Sequence, residues 1–404
     1  MTYFVTGATG FIGRYLVQSL LQKGKGTIYV LVRPKSIGKL DELREFWGKD
    51  SLKRVVPIKG DLGLPKLGVA RGDLTKLKGK VKHFYHLGAV YDIEASAEAM
   101  EKANITGTRG ALEFAEAVNA GCFHLVSSIA AAGLYRGTFT EDMFEEAEEL
   151  EHPYHRTKHD SEAMVRANGR VPFRVYRPSM VLGHSQTGFI DKIDGPYYFF
   201  KALQKLRESW PRSIPLVGIE GGYINVVPVD FVVDALVHLS HQPKLDGRCF
   251  HLTDPKARRV GEVLNVFARA AHAPEMAFRL DPKVFAMVPE PVTQSVQRSK
   301  PIQNVFNQLL RDLQVPRSVL QFVNYPTRFD STATQKILDK AKIRVPALED
   351  YAWRLWDYWE RHLDPDLSID RSLKGAVKGK VVMITGCSSG IGEAAAIRIA
   401  EAGG

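Results

Sequence analysis

Tyr154 and Lys158 stand four residues apart, so on a helix both side chains leave the same face. A free phenol titrates near pH 10, and an adjacent ammonium stabilises its anion. Such a pair makes a proton donor that works near neutral pH, which is what reduction of a carbonyl requires. Spacing alone decides little, because Tyr197 and Lys201 repeat it. Context separates the two. Tyr154 follows Pro153, a good opening residue for a helix, and comes shortly after an apolar run ending Leu125-Val126-Ser127-Ser128, which sets its hydroxyl beside a strand end. Tyr197 lies in an aromatic stretch, where a core or lipid-facing role is expected.

A proton donor for this chemistry needs a hydride carrier beside it. The run Thr6-Gly7-Ala8-Thr9-Gly10-Phe11-Ile12-Gly13 follows a short apolar strand and precedes Leu16, Val17, Leu20 and Leu21 at helical spacing. A dinucleotide pyrophosphate must come close to the backbone, which calls for glycines, and its charge is then stabilised by free N–H groups at the helix start. Gly7, Gly10 and Gly13 meet that demand. At the end of the next apolar strand an acidic residue would bind the 2′-hydroxyl of NAD, whereas a basic one accommodates the phosphate of NADP. Here the strand ends Leu31-Val32-Arg33 with Lys35 beyond, and Arg14 follows the last glycine, so NADPH is expected. Ordinary surface cations are the alternative reading of Arg33 and Lys35. Asp61 follows the third strand, where it reaches the adenine or simply holds a turn.

The elements that position these residues form a repeating pattern. Strands are expected at residues 3–5, 28–32, 54–59, 83–87, 123–127 and 173–176, with a further one at 249–252 and a helix at 103–117. Short apolar strands alternating with helices predict an α/β fold: a doubly wound parallel Rossmann sheet with a smaller, mainly helical substrate lobe. After Gly183 the alternation breaks down. The core is expected at about 1–184 and 223–253, the lobe at about 185–222 and 254–363, and a polar linker at 364–379. Residues 225–239, NVVPVDFVVDALVHL, read as a strand end followed by a core helix. Residues 380–404 then read as a second strand, glycine turn and helix, the opening slice of another domain, so that the 404-residue sequence is expected to be truncated.

Composition bounds the remaining functions. Apolar residues make up 45% and charged residues 25%, which argues against wholesale disorder and fibrous repeats. Cys122, Cys249 and Cys387 are distant from one another and form no CxxC, which favours a reducing compartment over a disulfide scaffold or a cysteine zinc cage. No run is long enough to span a membrane, and a cytoplasmic location is expected. The net charge of +10 suits polyanionic partners. His152, His155 and His159 fall at helical spacing but lack an evident completing ligand, so no metal is expected. The acidic run 141–151 reads as a solvated face or loop. The aromatics at 197–200 and the apolar stretch 284–288 suit an acyl tunnel or peripheral membrane contact, with plain packing as the alternative. Lys201, Lys205, Arg207 and Arg212 suit thioester phosphates or plain solvated surface.

In order along the chain, TGATGFIG, Gly60-Asp61-Leu62, His86-Leu87-Gly88-Ala89, Asn104-Ile105-Thr106-Gly107-Thr108, Ser127-Ser128, Tyr154-x-x-x-Lys158 and Arg177-Pro178 resemble the extended short-chain dehydrogenase/reductase pattern over about residues 1–260. One departure is Gly88, where many relatives have alanine. The resemblance implies Tyr154 as acid, Lys158 as its electrostatic partner and ribose ligand, Ser128 as the hydroxyl that orients the carbonyl (with Ser127 the adjacent alternative), and Asn104 as holder of a relay water. The cofactor set it implies is Gly7, Thr9, Gly10, Phe11, Ile12, Gly13, Arg14, Arg33, Asp61 and Leu62, with Tyr154 and Lys158. TGCSSGIG at 385–392 has the spacing of the shorter branch of the same superfamily. This tandem, with HPYHRTKHDSE, INVVPVDFVVDAL and YPTRFD, resembles bacterial bifunctional fatty acyl-CoA reductases. That resemblance implies NADPH-dependent steps, with reduction of a long-chain fatty aldehyde to the alcohol assigned to the half present here and acyl-CoA reduction to the half beyond. Expected partners are a fatty aldehyde or acyl-CoA, without nucleic acid, and the oligomeric state stays open. A sugar-nucleotide epimerase or dehydratase, a hydroxysteroid dehydrogenase and a non-catalytic NADP sensor are the competing readings.

Overall fold

In the computed structural model, which describes residues 1–90, 95–210, 216–256, 258–280, 325–368, 370 and 372–403, the apolar runs become strands of one sheet. They are β1 (Tyr3–Thr6), β2 (Ile28–Val32), β3 (Val55–Lys59), β4 (His83–His86), β5 (Cys122–Val126), β6 (Phe173–Pro178) and β7 (Cys249–Leu252). Their order is β7-β6-β5-β4-β1-β2-β3, and every neighbouring pair is parallel. Strands buried on both faces can be continuously apolar, and β1, β2 and β5 are buried at every position. The order reverses between β1 and β4. A doubly wound sheet opens its ligand crevice at that point, beyond the carboxyl ends of the strands.

Two apolar layers cover the sheet. On one face α1 (Phe11–Lys23) packs Leu16, Val17 and Leu20 with Val232, Val233 and Leu236 of a later helix, Val229–His241. On the other, α2 (Gly107–Ala117) and α3 (Pro153–Ala167) bring Ala111, Phe114, Ala115 and Val165 against Phe4, Phe84 and Phe123. The helix expected at 103–117 divides in two: residues Glu101–Thr106 form a π-helical turn that runs into α2. Such wide turns are frequent at functional sites, and this one carries Asn104.

The residues expected in the lobe form helices Phe200–Ser209, Val260–Ala270 and Thr332–Lys340, the last packing Leu338 into the core layer with α1, together with short strand pairs, among them Leu216–Ile219 with Met276–Leu280. The aromatic stretch turns inward: Phe200 is fully buried against Phe267 and Trp356. Residues 284–288 lie outside the described residues. Among the described residues no helix is long and apolar enough to cross a membrane.

Two compact units are present, Met1–Trp356 and Asp357–Gly404. In the second, helix Gly390–Glu401 forms as the sequence predicts, but residues 381–385 form no strand, and Val381 and Met383 are exposed. A strand needs a hydrogen-bonding neighbour, and the described residues of this unit supply none. The glycine turn needs no partner and is built. Gly386 has φ +73°, and a Cβ on Gly392 would lie 2.0 Å from the Gly386 carbonyl. Gly7 and Gly13 show the same two values.

Candidate functional site

Beyond the carboxyl ends of β1, β4 and β5 lies a cavity of about 850 Å³. Its floor at one end is the glycine turn. Gly7 has φ +73°, a backbone state that L side chains rarely adopt, and a Cβ there would meet the Gly88 nitrogen at 2.8 Å. A Cβ on Gly13 would penetrate the Gly7 carbonyl at 2.0 Å, so this glycine lets α1 sit against the turn. Gly10 ends the turn as the residue before α1, with no side chain to cap the helix, which leaves N–H groups at the helix start facing the cavity. A pyrophosphate fits that cradle on charge and on space.

Of the expected cofactor residues, Gly7, Thr9, Gly10, Phe11, Ile12, Gly13, Arg33, Asp61 and Leu62 line this cavity, as do Lys35, Ser128, Tyr154 and Lys158. Arg33 and Lys35 are exposed and enter no ion pair among the described residues. Asp61 holds its own turn, accepting the Gly63 N–H at 2.9 Å while lining the cavity. Arg14 is not among the lining residues, and its guanidinium pairs at 2.8 Å with Asp191, which does line the cavity, and lies over the Phe189 ring. The direction in which it leaves α1 is set by a lobe segment that the local sequence does not reveal.

At the other end Ser128, Tyr154 and Lys158 come together. The Tyr154 hydroxyl donates to Ser128 Oγ at 3.4 Å. Lys158, 6% exposed, lies one turn along α3 and lines the same space. Ser127 and Ser128 alternate at the strand end. Both line the cavity, but the Ser127 hydroxyl donates to Glu162 at 3.0 Å, whereas the Ser128 hydroxyl accepts from Tyr154. Asn104 is buried and does not line the cavity. It brackets the Val90 backbone, accepting its N–H at 2.8 Å and donating to its carbonyl at 3.0 Å, and also donates to Thr157 at 3.0 Å. It thus ties the segment after β4 to α3.

Burial raises the Tyr154 phenol above its ordinary value, with the Ser128 bond working in the opposite direction. The Asp194 carboxylate adds to the rise, since a nearby negative charge disfavours the phenolate. The phenol is therefore held in the protonated form that a proton donor needs. Burial pulls Lys158 down to about 8, opposed by the Glu162 carboxylate. His86, bonded to Thr6 at 2.8 Å and to Thr108 at 3.1 Å, is lowered to about 3 by burial and by the Lys158 charge.

The other candidates have separate engagements. His152 accepts the Tyr154 N–H at 3.1 Å, capping α3, and His159 meets the Ala131 carbonyl at 3.0 Å and stacks on Phe144. Glu141, from the acidic run, is not a solvated residue: it accepts the His251 N–H at 2.8 Å and bonds Thr334. Tyr197 is 2% exposed and accepts the Gly183 N–H at 2.7 Å, while Lys201 is buried and bonds Gln204. None of Lys201, Lys205 and Arg207 lines the cavity, and Arg212 lies outside the described residues. Sequence reasoning missed Tyr325, which lines the cavity and donates to the Gly133 carbonyl, and the buried Glu162–Arg177 pair. All three residues belong to motifs visible in the sequence, but nothing in those motifs shows their partners.

A parallel Rossmann sheet with a glycine cradle and a Ser-Tyr-Lys group in one cavity defines an NAD(P)-dependent reductase of the extended short-chain dehydrogenase/reductase type. The chain belongs to the Male sterility protein family, whose model matches residues 5–236. It is 31% identical over 268 residues to a linear gramicidin synthase protein of Brevibacillus parabrevis, covering 63% of this chain and 5% of that protein. It is 28% identical over 307 residues to a Drosophila melanogaster protein provisionally named a fatty acyl-CoA reductase, covering 62% of this chain and 58% of that one. The chain therefore spans only part of each relative. Among solved structures, the terminal R domain of the myxalamid PKS-NRPS biosynthetic pathway is similar at 26% identity and TM-score 0.70, covering 89% of this chain and 90% of that one.

Proposed function

We propose that this chain reduces a long-chain fatty aldehyde to the alcohol with NADPH, as one half of a protein that converts fatty acyl-CoA to alcohol overall. The observation that carries the reading is the meeting of Tyr154, Ser128 and Lys158 in the cavity that also holds the glycine cradle and Arg33. Bound there, the nicotinamide would supply hydride. Ser128 orients the substrate carbonyl oxygen, Tyr154 gives it a proton, and the Lys158 ammonium offsets the charge left on the phenol. Arg33 and Lys35 suit the 2′-phosphate of NADPH. Asn104 acts behind the cavity wall on the backbone at Val90 and on Thr157. The inward-turned Tyr197 and Tyr198, with Ile190, Ile224 and Phe329, provide apolar walls for an acyl chain. The glycine turn at 386–392 supports a second reductase beginning in residues 380–404.

The similarity to a gramicidin synthase protein and to an R domain from a PKS-NRPS pathway favours one second reading, in which this same half also reduces an acyl thioester. The test offers a long-chain aldehyde and the matching acyl-CoA separately and follows NADPH consumption. Turnover of aldehyde alone supports the division of labour; equal turnover of both supports the second reading. Tyr154→Phe should lower aldehyde turnover by about 10²–10⁴-fold, the usual contribution of a positioned acid. Unaltered turnover in that variant sinks the assignment.

A further inference from the structure

The cavity wall behind Tyr154 and Lys158 contains a carboxylate that the reaction as described does not use. Glu162 is 0% exposed and lies one turn beyond Lys158 on the inner face of α3. It receives Ser127 Oγ at 3.0 Å, Arg177 Nε at 3.0 Å, Arg177 Nη2 at 2.6 Å and Arg166 Nε at 2.9 Å. Arg177 is equally buried. Its remaining nitrogen donates to the Met143 carbonyl at 3.1 Å and to His251 at 3.3 Å, and His251 is bonded in turn to the Asp330 carbonyl at 2.7 Å. One carboxylate thus joins the strand end that carries the serines, the helix that carries Tyr154 and Lys158, and the segment after residues 327–329 of the cavity wall.

A buried ion pair is a poor way to gain stability, because an apolar pair of similar volume does as well or better. What it does supply is a fixed charge at a fixed place. We propose that Glu162 is a positioning residue for the reaction proposed above: it turns Ser127 away so that Ser128 faces Tyr154, and it keeps the buried Lys158 charged. Lys158 shares a face of α3 with Tyr154 and Glu162 and meets His86 from β4, and His86 is neutral. Glu162 faces Arg166 on α3 and Arg177 on β6, with Glu141, Cys249 and His251 beyond Arg177. Glu162 is the carboxylate one turn from Lys158 on the same buried face of α3, so its charge favours the ammonium. Arg166, 23% exposed at its side chain and outside the cavity, partly cancels that charge.

The sign follows. Glu162→Gln keeps the volume but removes the charge, so Lys158 loses its proton at lower pH. Arg166→Gln removes a competing cation, so Lys158 holds its proton to higher pH. The measurement is the ¹³Cε shift of Lys158 against pH in lysine-labelled, cofactor-free protein, assigned by loss of the signal in Lys158→Met. Opposite displacements of about one pH unit are expected for the two variants. The high-pH loss of aldehyde turnover should move with them, downward in Glu162→Gln and upward in Arg166→Gln. Midpoints that stay put, or move together, overturn the proposal even if aldehyde is turned over. Arg166→Gln keeps the test open if Glu162→Gln fails to fold. Shifted midpoints in a protein that turns over no aldehyde would support the electrostatic role and fault the substrate assignment instead.

Discussion

Arg33→Ala tests which dinucleotide the cavity selects. Arg33 sits at the end of β2, lines the cavity and has no carboxylate partner among the described residues. A charge-assisted contact with phosphate contributes about 1.5–3 kcal/mol. The side chain is exposed, and water and salt screen it, so the lower end applies: about 1.5 kcal/mol, or roughly tenfold in affinity. The variant should raise KM for NADPH by about tenfold at low salt, and by less at high salt, while KM for NADH stays within about twofold. Lys35 keeps a residual preference. The assay is initial-rate oxidation of each dinucleotide at fixed aldehyde concentration. An NADPH-to-NADH ratio equal to that of the wild type would refute the placement of the 2′-phosphate. A loss shared equally by both dinucleotides would show that Arg33 supports the loop rather than the phosphate.

Gly13→Ala should abolish dinucleotide binding and lower the melting temperature, because the new Cβ would stand 2.0 Å from the Gly7 carbonyl and 2.8 Å from Ala8 Cα. Gly24→Ala, with nothing within 4 Å of the new atom, is the matched control; equal melting temperatures for the two would contradict the packing argument. Stability should fall on acidification below the ordinary histidine range. Burial holds His83 to about 4 and both His86 and His251 to about 3, and it lowers His124 and His241 as well. Folded, these rings stay neutral; unfolded, they bind protons near pH 6.5. Their contribution is therefore complete above that value and is lost as pH falls toward 4, at up to about 1.4 kcal/mol per pH unit for each ring. The raised carboxyls Glu141, Asp234 and Asp254 act in the opposite sense but are fewer. Urea melts at pH 7 and at about pH 5 check this, and equal midpoints would refute it.

The sheet was legible because its signals are local. The strands of the sheet are short runs of four to six residues, β1, β2 and β5 among them buried at every position, and the glycine turn is a chain conformation that no distant residue has to enforce. Residues 386–392 make that turn again beside a segment that forms no strand. Tyr154 and Lys158 were legible for the same reason, since helical spacing alone puts them on one face. The fold class follows from the alternation of these elements, and the order β7-β6-β5-β4-β1-β2-β3 completes it.

Other features depend on partners far along the chain. Ser127 and Ser128 are indistinguishable in sequence until Glu162, 35 residues later, takes one of them. Arg14 follows the glycine turn as a phosphate ligand would, yet Asp191, 177 residues away, claims it. Tyr325 reaches a carbonyl 192 residues before it. The amino-acid sequence by itself determined the dinucleotide cradle, the Tyr-Lys pair and the doubly wound sheet, because backbone geometry and side-chain periodicity act over a few residues. Only the tertiary structure decided which serine faces the tyrosine, where Arg14 points and what surrounds Lys158. Those are questions of charge and hydrogen bonding in a site sheltered from water, answered by whichever distant side chain the fold brings within about 3 Å.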